Sequence, residues 1–121
     1  MRIERRLVLT ALVSSAATLL AAWSLGGAAL PAVVKLENPK VRVTEVTSAV
    51  KSVRERGVRA TNQVIVFLDD CRYERVDPAT GEKTIRERKS GDVIWHDKGE
   101  DAPQLTNAGS KPYRTIVVEL K

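Results

Sequence analysis

After Leu30 the apolar residues of this chain never hold a helical period of 3.6 for more than two turns. They recur every second residue instead, which confines the chain to sheet. Val41, Val43 and Glu45 fall on one side of a strand, with Arg42, Thr44 and Val46 on the other. Val64 to Leu68 is a continuous apolar run, short enough for a buried strand rather than a helix, and it ends at the polar turn Asp69-Asp70-Cys71. Asp77-Pro78-Ala79-Thr80-Gly81 predicts a hairpin loop, because Pro78 presets the turn and Gly81 takes the positive φ needed to rejoin the returning strand. Its arms are Tyr73 to Val76 and Lys83 to Arg88. Ser90-Gly91-Asp92 breaks the alternation and Val93-Ile94-Trp95 resumes it. Residues 97–110 predict a long loop, and Thr115 to Leu120 a closing strand. Short strands joined by turns, with no internal repeat, predict an all-β antiparallel sandwich or barrel.

Length allows one domain: 121 residues, 43% hydrophobic and 29% charged, suffice for a single small core. The formal charge of +5 overstates how basic that domain is, since Arg2, Arg5 and Arg6 against Glu4 leave only +3 beyond residue 29. Basic and acidic residues alternate there, as in Arg72-Tyr73-Glu74-Arg75, whereas a nucleic-acid surface clusters one sign. Nucleic acid is therefore not an expected partner.

Residues 1–29 read as an address. A basic start, Met1 to Arg6, precedes the uncharged run Leu7 to Leu25, and Gly26-Gly27-Ala28-Ala29 supplies small residues suited to signal peptidase. The alternative is a retained anchor facing the periplasm, since an uncharged run of this length can span a bilayer. Thr10, Ser14, Ser15, Thr18 and Ser24 make the run weakly apolar and favour cleavage. The expectation is an exported protein, periplasmic or secreted, touching membrane only through this segment if it is uncleaved. Arg5-Arg6 before Leu7-Val8-Leu9 also looks like a twin-arginine signal. Cys71 is the only cysteine, so no intrachain disulfide staples the domain, and packing or a second subunit must hold it.

The stretch from Gly91 to Lys121 resembles the second half of a cupin barrel. That family's second motif runs from a glycine through a proline and a second glycine to a histidine, and then to an asparagine. Gly91, Gly99 and Asn107 match; Asp97 replaces the proline and Pro103 the histidine. Its first motif carries two histidines and a glutamate before an apolar strand like Val64 to Leu68. Counting back from that strand places Val58 and Ala60 at the histidines and Val64 or Ile65 at the glutamate, with Cys71 at the turn glycine. The resemblance implies a cupin-like double-stranded β-helix, or jelly-roll, over residues 40–121, after a signal at 1–29 and a linker at 30–39. It also implies no metal and no cofactor, because valine, alanine and proline offer no donor atoms where an ion needs three or four. Cupins commonly dimerise, so a homodimer is expected.

Few residues remain to carry chemistry, and no catalytic residue is assigned. His96 is the only histidine; pairing it with Cys71 requires a contact that nothing local promises. Asp69 and Asp70 are neighbours and point apart, as turn residues do. If the alternation through Val58 and Ala60 runs back unbroken, Arg54 and Arg56 share the inward face and favour a carboxylate or phosphate. Otherwise Arg54, Glu55, Arg56 and Arg59 form a solvated edge strand. Trp95 and Tyr73 line or plug the interior. The expected ligand residues are Arg54, Arg56, Trp95, His96 and Asn107. Together they suggest an exported, metal-free, non-catalytic module for a small polar or anionic molecule. The alternatives are a metal-free isomerase or epimerase, or an interaction protein of the cell envelope.

Overall fold

The computed structural model describes residues 30–121; the signal segment expected at 1–29 lies outside them. Eleven strands are present among the described residues: β1 (Ala32–Glu37), β2 (Val41–Ser48), β3 (Val53–Arg54), β4 (Gly57–Val58), β5 (Asn62–Phe67), β6 (Cys71–Val76), β7 (Lys83–Arg88), β8 (Val93–His96), β9 (Asp101–Ala102), β10 (Leu105–Asn107) and β11 (Tyr113–Leu120). They form a five-stranded sheet in the order β1-β2-β11-β5-β8, a four-stranded sheet in the order β3-β10-β6-β7, and the short pair β4-β9. All pairings are antiparallel. The two larger sheets face each other, as the all-β reading requires.

The hairpin forms where its turn chemistry placed it. Asp77 Oδ1 accepts from the amides of Ala79 (2.8 Å) and Thr80 (3.0 Å). The Asp77 amide donates to the Glu82 carbonyl at 2.8 Å, and Gly81 has φ +78°. Asp69 and Asp70 diverge as expected: Asp69 clasps the Arg114 guanidinium at 3.0 Å, whereas Asp70 accepts from the Ser90 amide at 2.8 Å.

Two expectations of irregular chain give way to strands. Residues 30–39 do not form a free linker: β1 pairs along β2, from Ala32 opposite Val46 to Glu37 opposite Arg42. The long loop at 97–110 contains β9 and β10, each of three residues or fewer. Such short strands show no period of two, so only their partners, β4 for β9 and β3 and β6 for β10, define them.

The core is thin. Ile65, Phe67, Tyr73 and Tyr113 form its buried cluster, and no large side chain is wholly sealed. Three rings tie the two sheets together: Phe67 lies parallel to Tyr73 with centroids 6.3 Å apart, and Tyr113 is 6.4 Å from each, within the range for offset aromatic packing. Above these rings the interior is open.

Candidate functional site

Residues directly opposite on antiparallel strands share a face, so the register of the five-stranded sheet sorts its inner side chains into rungs. Ser48 and Tyr113 form the innermost rung, and Val46, Thr115 and Phe67 the next. Thr44, Val117, Ile65 and Ile94 follow, then Arg42, Glu119, Gln63 and His96 at the mouth. The opposite sheet has the same polarity. Tyr73 pairs with Asn107 at the aromatic end, and Arg54, Leu105 and Arg75 form the rung above. All these residues line one cavity of about 810 Å³, within the range of small-molecule sites. β2 thus turns Arg42, Thr44 and Val46 inward and leaves Val41 and Val43 on the outer face.

Arg54 and Arg59 dominate the electrostatics of this space. Arg54 projects from β3 and donates through Nη2 to the Pro103 carbonyl. Arg59 is 9% exposed and donates through Nη1 to Gln63 Oε1 at 3.1 Å. Burial holds the Arg54 guanidinium down to about 10, and the positive charge of Arg59 pushes the same way. Arg59 is lowered by burial too, with Glu100 and Tyr73 opposing. Among the described residues neither makes an ion pair with a carboxylate. The Nε atom of each is buried without a hydrogen-bond partner. Each guanidinium thus keeps an idle donor, Arg59 in a buried residue and Arg54 in a half-buried one.

His96 completes the mouth. Its Nδ1 lies 3.0 Å from Glu100 Oε1. Burial and the nearby Arg59 charge hold its pKa below the ordinary histidine range, against the pull of Glu100. The ring is therefore neutral near pH 7.

The residues expected at the site separate. Arg54 and His96 line the cavity. Arg56 does not: it lies outside, paired with Asp101 at 3.2 Å. The alternation breaks between β3 and β4, where the chain leaves one sheet and joins another, so the inward arginines are five residues apart rather than two. Arg59, which the sequence reading placed only on a solvated edge strand, lines the cavity instead, and Gly57, a residue type at which a strand's register can slip, is the sequence signal for it. Trp95 is 51% exposed on the outer face, because its neighbours Ile94 and His96 point inward, and its Nε1 donates to Asp97 at 2.8 Å. Asn107 borders the cavity, but its Nδ2 donates to the Ser48 and Lys111 carbonyls (both 3.0 Å) and its Oδ1 accepts from the Gly109 amide (2.9 Å). Its hydrogen bonds go to the backbone. Cys71 does not line the cavity, and burial pushes its thiol up to about 11.

The residues present do not fit a resident metal. Val58, Ala60, Ile65 and Pro103, at positions where the motif resemblance places ligands, all line the cavity and bring no donor side chain. Among the described residues no three His, Cys, Asp or Glu side chains converge as an ion requires. Arg54 and Arg59 would repel a cation there.

Neither a protein-family model nor a curated protein sequence matches the chain. Solved structures do. A cupin domain from Bordetella pertussis Tohama I superposes with a TM-score of 0.68 at 15% identity, covering 76% of this chain and 93% of that one. The polyketide cyclase RemF from Streptomyces resistomycificus gives 0.61 at 17% identity, over 75% and 64% of the two chains. An RmlC-like cupin from Shewanella frigidimarina NCIMB 400 gives 0.59 at 11% identity, over 78% of each. At such identities the likeness establishes architecture and not activity. By its fold, this protein is a small cupin barrel.

Proposed function

We propose that the protein is an exported, metal-free binding module that takes up a small anion in the mouth of its barrel through Arg54 and Arg59. The observation that carries this reading is the pair of cavity-lining guanidiniums, each with a buried, unpartnered Nε and neither facing a carboxylate ion partner among the described residues. A buried unpaired charge is costly unless a ligand compensates it, and the planar fork of arginine matches carboxylate and phosphate. Thermal unfolding with millimolar phosphate, acetate or benzoate tests it. At least one of these anions raises the melting temperature of the wild type, and Arg59→Gln lowers that gain. A melting temperature indifferent to all three would refute the proposal.

One observation favours a second reading, an enzyme that moves a proton without a metal. His96 is held neutral in the cavity and oriented by Glu100, as a general base requires. Among proteins of this fold, RemF is a polyketide cyclase and another, from Ruegeria pomeroyi, a DMSP lyase. Turnover of a bound acid that disappears in His96→Ala supports this reading; turnover unchanged in that variant removes it.

A further inference from the structure

The anion site continues into an apolar wall. Beneath the polar mouth rung of Arg42, Gln63, His96 and Glu119, the next rung inward presents Ile65, Ile94 and Val117 beside Thr44, and Leu105, between Arg54 and Arg75, lines the opposite sheet. Phe67 lies one rung deeper. From Gln63 to Phe67 along β5 the path is about 13 Å at the usual strand rise. At the far end the Arg88 guanidinium lies over Phe67 at 5.8 Å and donates to the Tyr73 hydroxyl at 3.3 Å. The buried Leu30, just ahead of β1, also lines the cavity. The inner face of the five-stranded sheet is thus apolar below its mouth, and across the cavity it meets Arg54 and Arg75, which share the rung of Leu105 on the opposite sheet.

Resting on the anion-binding reading above, we infer that the ligand is an amphipathic monocarboxylate, its carboxylate held by Arg54 and Arg59 and its hydrocarbon body lying along Ile65, Ile94, Val117 and Leu105 toward Phe67. A compact inorganic anion leaves that wall in contact with water. An acid with an unbranched or ring-shaped apolar body removes the wall from water while compensating the buried charge. Arg88 is engaged with Tyr73 and Phe67 at the distal end.

Titration calorimetry of the full chain tests this with acetate, butanoate, hexanoate, octanoate, octanedioate, inorganic phosphate and hexan-1-ol. The expected result is a dissociation constant that falls about fourfold for each methylene from acetate to hexanoate. The heat-capacity change should grow more negative along the same series, with hexan-1-ol at least tenfold weaker than hexanoate. A flat series, in which acetate and phosphate bind as tightly as hexanoate, overturns the apolar-body assignment and leaves the anion site standing. Octanedioate tighter than octanoate overturns it too, by placing a second charge against Arg88. Hexan-1-ol equal to hexanoate removes the role given to the guanidiniums. If no anion in the series binds, the inference and the anion-binding reading both fall.

Discussion

Arg54 donates through Nη2 to the carbonyl oxygen of Pro103, so a fixed cation stands beside the residue that takes the place of a histidine in the motif comparison. The side chain of Pro103 supplies no ligand atom, but its backbone anchors a charge. The Arg54 Nε is buried with no partner, and the charge of Arg59 acts on the same guanidinium. This pairing engages one end of the guanidinium and leaves its Nε donor free.

Replacing Arg54 with methionine separates stability from binding. A buried cation without a counter-ion destabilises the empty protein, so Arg54→Met stabilises it by ~1–3 kcal/mol in urea unfolding. The same variant loses stabilisation by anions. A variant less stable than wild type without ligand would show that the Pro103 contact outweighs the desolvation of the charge.

Asn107 ties the end of β2 to the loop before β11. Its side chain satisfies the Ser48 and Lys111 carbonyls and the Gly109 amide from a site only 3% exposed. Asn107→Ala leaves those groups unpaired and costs about 2–3 kcal/mol by urea denaturation. A loss under half a kilocalorie per mole would mean water replaces the amide without penalty.

His96 makes the fold acid-sensitive. Its folded pKa lies below the unfolded value of about 6.5, so as pH falls through that value the unfolded chain takes up the proton first and stability declines. The contribution is intact above pH 6.5 and is lost toward the lower folded pKa. His96→Gln therefore flattens the stability profile below about pH 6.5. An identical slope in the two proteins would assign that sensitivity to other groups.

Cys71 is a poor nucleophile. With its thiol pushed up to about 11 by burial, against the weaker pull of Arg88, little thiolate exists at pH 7. Labelling by an aromatic disulfide at neutral pH is expected about a hundredfold slower than for an unhindered thiol, accelerating toward pH 11. A rate matching free cysteine would show that the thiol is open to solvent.

Much of the architecture was legible because it is local. The alternation in 41–46, the apolar run 64–68 and the Asp77–Gly81 turn each carry their own signal within a few residues, and the structure forms β2, β5 and the β6–β7 hairpin there. β9 and β10 were not legible, since strands of two and three residues exist only through their partners. The site divides in the same way. Arg54 and Arg56 were placed inward by running the alternation back from Val58 and Ala60, but phase does not carry across the change of sheet at residues 55–57, and the structure lines the cavity with Arg54 and Arg59.

What the chain's order of residues determined by itself was a sheet protein with no donor side chains at the positions where its motif resemblance places metal ligands, because alternation and residue chemistry are readable one segment at a time. What only the tertiary structure decided was which charges share an interior. That depends on the pairing of strands far apart in sequence, and on the shift of pleat where β3 gives way to β4. A slip of one residue there moves a guanidinium from solvent to cavity.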